Sequence, residues 1–167
     1  ENVQYIDVVP RQVVGSSASL IPFISHDEAN RALMGSHMQC QAVPLLRPTA
    51  PIIGTGMEGE ISSAMGHTIY AKYAGEVEYV DAAKIMIKLS GKELDKAKKD
   101  AALMRGESLD LKGDILTYHL RKFIRTSQST CYSQHPVVKQ GDKVKVGDLL
   151  IDGPSTDNGE LALGQNL

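Results

Sequence analysis

The sequence predicts a mainly β, α+β fold that carries one prominent helix. Three observations lead there. Residues 68–89 alternate apolar and polar side chains with turn signals between them, the period of half-buried strands. Residues 136–153, PVVKQGDKVKVGDLLIDG, place Gly-Asp pairs at regular intervals among Val and Leu, which reads as short strands joined by tight turns. Residues 25–44, SHDEANRALMGSHMQCQAVP, gather good helix formers between a helix start signal and a proline that opposes continuation.

The totals bound the function. A chain of 167 residues supports one or two domains with a moderate core. With no Trp and 5 % aromatic residues that core is aliphatic. A formal net charge of −2 excludes a globally basic nucleic-acid binder, so any such contact must come from a local patch. Two cysteines, Cys40 and Cys131, do not make a disulfide framework, and reduced thiols in a cytoplasmic protein are expected. No membrane-spanning run or signal peptide is visible. Glu1 stands where an initiator Met would, and the chain stops just after a dense motif. Both ends therefore predict a segment of a longer chain.

Taken in order, residues 1–24 open with a short apolar strand pattern that Pro10 breaks, then a run of small residues from Gly15 to Ser19. In residues 25–44, Ser25 and Glu28 have the spacing of a capping box. A helix running to Val43 would put Arg31, Met34, Met38 and Gln41 on one side, with Arg31 and Gln41 about 15 Å apart along the axis. Residues 45–59 hold two prolines and three glycines and read as an extended strand-loop without helix. GTGMEG within it lacks the glycine spacing and the Lys of a phosphate loop.

Strands follow over residues 68–89, with turns at Ala74-Gly75 and Asp81-Ala82. Residues 91–106 change character: Leu94, Ala97, Ala101 and Leu103 or Met104 make a thin apolar stripe on a solvated, lysine-rich helix inserted between strands. Residues 115–129 read as one strand with an apolar and a basic face. Arg121, Lys122 and Arg125 make either an ordinary amphipathic edge or a phosphate-backbone contact strip. In the 136–153 repeat Val144 and Leu149 point inward, and residues 153–164 read as a turn followed by a short helix.

The repeat resembles the barrel-sandwich hybrid of biotinyl and lipoyl carriers. Those carriers need a modifiable Lys at a hairpin tip, whereas Lys143 and Lys145 flank a strand. The motif thus indicates architecture more than chemistry. A carrier-like or adaptor β binding module without catalysis remains the alternative, and a search for a biotinyl or lipoyl adduct by mass separates the two.

Four blocks together carry a more specific resemblance: ASLIPFISHDEANRALMGSHMQCQAVPLLRPTAPIIGTGME, VEYVDAAKIMIKL, LRKFIRTSQSTC and GDKVKVGDLLIDGPSTDNGELALGQN. In order and spacing they resemble the beta subunit of bacterial DNA-directed RNA polymerase, end to end apart from an insert at 91–113. The resemblance implies an internal segment near the active centre. It implies part of a double-psi β-barrel with a sandwich-barrel hybrid element and one active-centre helix. Residues 1–60 would hold that helix and its flanks, 61–135 the barrel strands with the insert, and 136–167 the hybrid motif and following loop.

Residue roles follow from the same resemblance. Arg31 would reach the triphosphate of the incoming nucleotide, with Glu28 and Asn30 beside it. A guanidinium fork suits that task, because it matches phosphate oxygens and stays charged. Gln41 would lie near the RNA 3′ end. Glu28 replaces the family's usual Asp, His37 its Asn, and Cys40 its Arg, the last removing a positive charge close to the transcript and beside the rifamycin pocket. Catalytic aspartates and their Mg2+ are expected on the beta-prime subunit, so this segment would hold no metal and no catalytic residue. Implied partners are the beta-prime, alpha, omega and sigma subunits, template DNA, nascent RNA, ribonucleoside triphosphates and rifamycins. The implied location is the bacterial cytoplasm, at the nucleoid.

Other chemistry is poorly supported. His26, Asp27, Glu28 and His37 lack metal-ligand spacing, and acids at a helix start are expected anyway. Ser19, His26 and Asp27 lack a nucleophile elbow. Cys40 and Cys131 read as buried, inert thiols, and Met34 and Met38 as core more readily than contact residues.

Overall fold

The structure, a computed structural model, describes residues 3–6, 8–100 and 109–167. Its centre is an open antiparallel sheet of five strands. These are β2 (Gly75–Val80), β3 (Lys84–Lys88), β4 (Leu109–Lys112), β5 (Ile115–His119) and β9 (Lys143–Val144), in the spatial order β4-β5-β3-β2-β9. The alternation explains the sheet. Ile85 and Ile87 of β3 are fully buried while Lys88 faces out. They pair with Tyr118 and Leu116 of β5, which are also buried. Each such side chain contributes about 1.5–3 kcal/mol relative to exposure.

A second sheet has three strands, with β10 (Leu149–Asp152) between β1 (Ile69–Tyr70) and β8 (His135–Pro136). Leu150 and Ile151 of β10 join one core cluster with Ala71, Val77 and Val144. Val144 points inward as expected; Leu149 is only half-buried, and Leu150 and Ile151 take the central places. The two turns that lead into β9 and β10 are built alike. Asp142 Oδ2 accepts from Lys139 N at 2.8 Å and Asp148 Oδ2 from Lys145 N at 2.7 Å. Gly141 and Gly147 supply the left-handed residues, at φ 89° and 91°. Among the described residues no sheet closes into a barrel.

The helices are α1 (Ser16–Ser19), α2 (Ala29–Gln39), α3 (Glu58–Ala64) and α4 (Lys92–Asp100). Ala97 seats α4 on the core, and Tyr73 Oη donates to Asp100 Oδ2 at 2.8 Å. Ala101, Leu103 and Met104 of the expected stripe lie outside the described residues.

Several expectations are corrected. The strand predicted over 115–129 breaks after His119, because Arg121 pairs with Gln134 instead. Its N–H donates to Gln134 Oε1 and its carbonyl accepts from Gln134 N, both at 2.9 Å. The chain resumes as a hairpin of β6 (Ile124–Arg125) and β7 (Cys131–Tyr132). The short helix predicted within 153–164 is another hairpin, β11 (Thr156–Asp157) and β12 (Glu160–Leu161). Asn158 and Gly159 turn it at φ 51° and 83°, the left-handed pair a tight hairpin requires. Helix α3, against β12, was not anticipated.

The capping box of Ser25 and Glu28 does not form. Residues Ile24–His26 make a 3-10 turn, the helix begins only at Ala29, and the Glu28 carboxylate accepts from Asn30 Nδ2 at 3.0 Å instead. At the start of α3, capped by Met57, Glu58 Oε1 accepts from Thr55 N at 2.8 Å and so holds the preceding loop against the first turn.

Candidate nucleotide and nucleic-acid site

Helix α2 starts with Glu28 as its cap residue, whose carbonyl accepts from Ala32 N at 3.0 Å. The bond between Asn30 and Glu28 holds these two side chains together. Arg31 sits beside them on the first turn, exposed, with no hydrogen bond or ion pair to any other described residue. A free guanidinium next to a carboxylate and an amide can take an anionic ligand without first breaking an internal pair.

The far end of α2 differs from expectation. The helix stops at Gln39, Cys40 caps it, and Gln41 N and Ala42 N donate to Met38 O and Gln39 O in a tighter turn. Gln41 therefore lies beyond the helix that carries Arg31, Met34 and Met38. Met34 and Met38 are exposed by 51 % and 64 %, so the core reading of these methionines is overturned. So is that of the cysteines, since Cys40 and Cys131 are both free and exposed. His37 is exposed in the last turn.

Cys40 and Gln41 open onto a cleft of about 790 Å³. The β6–β7 hairpin also lines it, with Thr126, Cys131 and Tyr132. His67 meets the Tyr132 ring edge-on at 5.2 Å. Burial holds the His67 imidazole below its usual range and pushes the Tyr132 phenol up, so both rings are neutral near pH 7. Gln134, buried, fixes this wall. Its Nε2 donates to His67 O at 3.1 Å and to Tyr132 Oη at 3.4 Å, and its carbonyl accepts from Lys122 Nζ at 2.6 Å. A lone Gln in a polar stretch gives no sequence signal of such a role.

Two buried carboxylates shape the surrounding loops. Glu58 accepts from Thr55 N and Gly56 N, each at 2.8 Å, and these bonds, Thr55 first, hold its carboxyl below the usual range. Asp152 accepts from Asn158 N at 2.8 Å, Gly159 N at 2.9 Å and Thr156 Oγ1 at 3.2 Å, fixing the β11–β12 hairpin that borders the cleft.

A family model described as RNA polymerase Rpb2, domain 6, matches residues 70–167, more than half of the chain. The chain belongs to the RNA polymerase Rpb2 domain 6 family. Three relatives called DNA-directed RNA polymerase subunit beta agree with that placement over the whole of this chain. They come from Aquifex aeolicus (51 % identical), Geotalea daltonii (49 %) and Geobacter metallireducens (48 %). The chain spans 11 % of the length of each. In this Rpb2 domain 6 chain the matched region begins at β1 and takes in both sheets, while α2 with Glu28, Asn30 and Arg31 precedes it.

Proposed function

We propose that this chain is a segment of a DNA-directed RNA polymerase beta subunit, working in transcription as part of a nucleotidyltransferase. Its place in the Rpb2 domain 6 family and its near-50 % identity to beta subunits support that reading. In it, Arg31 binds the triphosphate of the incoming ribonucleotide, Glu28 and Asn30 orient that site, and Gln41, with His37 and Cys40 nearby, lies beside the RNA 3′ end. The observation that carries the Arg31 role is its position: exposed, unpaired among the described residues and next to the Glu28–Asn30 pair. The open sheets would complete a double-psi barrel and a sandwich-barrel hybrid only with the remainder of the subunit. A carrier module is not favoured, because Lys143 sits on β9 rather than at a hairpin tip.

Phosphoryl transfer of this kind uses two metal ions held by clustered carboxylates. Among the described residues no three His, Cys, Asp or Glu side chains gather into a set that could hold a metal ion, and no metal-dependent step is assigned to this segment. Beta-prime would hold Mg2+. This chain would supply positioning and positive charge at the phosphates. Alpha, omega and sigma subunits, template DNA and nascent RNA complete the proposed partners, and rifamycins bind beside Cys40. The proposed location is the cytoplasm; no helix among the described residues is long and apolar enough to cross a membrane.

Arg31→Ala in the assembled enzyme tests the assignment. The apparent nucleotide KM rises about tenfold, corresponding to roughly 1.4 kcal/mol of lost binding. A wild-type KM removes Arg31 from the site.

A further inference from the structure

Residues 115–141 contain no Asp or Glu, yet they hold Arg121, Lys122, Arg125 and Lys139 in a chain whose net charge is −2. This local excess of positive charge falls at the break between β5 and β6. Phe123 stands there at φ 51° and is 78 % exposed. A left-handed bulky residue is strained, and such strain persists only where the surroundings dictate it. Here they do. On one side Leu120 N donates to Ala83 O at 2.7 Å and Arg121 is paired in both directions with buried Gln134. On the other, Ile124 and Arg125 are paired with Tyr132 and Cys131. The chain is pinned before and after Phe123, and the kink between lifts an aromatic ring into solvent. Lys122 Nζ lies 5.3 Å from the centre of that ring. Arg121 and Arg125 flank Phe123 in the sequence and are exposed, and Arg125 Nη2 donates to Ser129 Oγ at 2.9 Å, its one side-chain bond among the described residues.

The geometry points to a contact site for single-stranded nucleic acid on the 121–125 segment and the β6–β7 hairpin. Phe123 stacks on a base, and Arg121 and Arg125 take the flanking phosphates. An exposed ring with exposed cations two residues before and after it along the chain suits an unpaired strand, which offers flat bases and negative phosphates, and stacking tolerates any base. The same hairpin lines the cleft onto which Gln41 and Cys40 open. The proposal thus rests on the reading that Gln41 lies near the RNA end, and it extends the path of the strand across the cleft. A folded protein partner would gain from Phe123 as well, but it would not call for an acid-free stretch.

The test uses the assembled enzyme containing the full-length subunit, stalled on a template with 4-thiouridine in the transcript or 4-thiothymidine in the single-stranded DNA. Crosslinks to peptides spanning Phe123 or Tyr132 are expected. RNA as the donor places the transcript there and DNA the template, and either supports the site. Phe123→Ala lowers the crosslink yield about tenfold. Arg121→Gln with Arg125→Gln lowers the log–log salt slope of strand retention by about 1.4, two phosphates' worth for a single strand. All three positions are exposed, and the nucleotide KM of these variants serves as the folding control, remaining at the wild-type value. Because Arg31→Ala reads on KM and the hairpin variants on retention, failure of one does not imply failure of the other. Crosslinks from neither strand to the hairpin, with an unchanged salt slope, overturn the proposal, and so do crosslinks that fall on other segments or other subunits only.

Discussion

Glu58 divides two carboxylate oxygens among three donors, Thr55 N, Gly56 N and the Thr55 hydroxyl. A glutamine there keeps one acceptor and turns an amide N–H₂ toward a backbone N–H. Hydrogen bonds to a charged group are worth about 1.5–3 kcal/mol, so Glu58→Gln is expected to destabilise by that order, read from denaturant midpoints. The pH dependence follows from the direction of the shift. The folded carboxyl is held below its ordinary value of 4.5, so its contribution is full above that pH and fades as the pH falls through the lower folded value. Wild type and Glu58→Gln should therefore differ near neutrality and converge in acid. Cys40 carries a different prediction. If rifamycins bind beside it, Cys40→Arg restores a cation and raises drug affinity in the reconstituted enzyme; unchanged affinity ends the proposal. Both phenylalanines, Phe23 and Phe123, are exposed at positive φ, and nothing in a sequence window marks a Phe for that conformation.

At the scale of elements, Tyr73 is the tie between α4 and the sheet. Its hydroxyl donates to Asp100, and burial first, then that bond and the Asp100 charge, push the phenol up to about 12. A raised value means the contribution is complete below the ordinary value of 10.0 and is lost as the pH climbs through about 12. Tyr73→Phe should therefore release the end of α4 while β2 and β3 keep their pairing. Hydrogen exchange would show faster amides in residues 92–100 and unchanged ones in 75–88. The elements also show what was legible. Strands β2, β3 and β10 were readable because alternation and Gly-Asp turns are local signals. The break after β5 was not, because it depends on Gln134, a partner that no window around Arg121 contains. The β11–β12 hairpin was readable in principle from Asn158-Gly159, but Glu-Leu-Ala-Leu after it favours helix, and burial of Leu161 decided otherwise. Ser25 and Glu28 have the spacing of a capping box, and local spacing alone could not say that Glu28 would be taken by Asn30. For the candidate site, the polar run that marks α2 was visible, whereas the cleft joining Gln41 to Tyr132 needs two segments far apart in sequence.

Across the whole molecule, the apolar core is one-sided. Every buried hydrophobic residue among those described lies between Ala71 and Ala162, and the described residues before Ala71 bury only the polar Glu58, Ser62 and Thr68. That earlier part, which carries α2 and Arg31, is instead fastened to the end of the chain by polar bonds. Asn166 Nδ2 donates to Ala50 O at 2.7 Å and Thr49 Oγ1 at 3.1 Å, and Asn166 Oδ1 accepts from Ile52 N at 3.3 Å. Gln165 Nε2 donates to Arg47 O at 2.7 Å, Thr49 N to Gly164 O at 3.0 Å, and Ala50 N to Asp157 Oδ2 at 3.0 Å. Such a clasp sets position without adding much stability, since exposed hydrogen bonds net about 1 kcal/mol each. Asn166→Ala should therefore cost only about 1–3 kcal/mol and leave the sheets intact. Its effect should concentrate on where α2 sits, and if Arg31 contacts the nucleotide as proposed, a small misplacement of it is felt in rate and binding. Faster exchange is expected in residues 29–52 with unchanged protection in 75–88, together with a raised nucleotide KM in the assembled enzyme. If KM rises while exchange stays at wild-type levels, Asn166 acts on the nucleotide by some route other than the clasp. If neither moves, the polar bonds between residues 47–52 and 164–166 do not position α2.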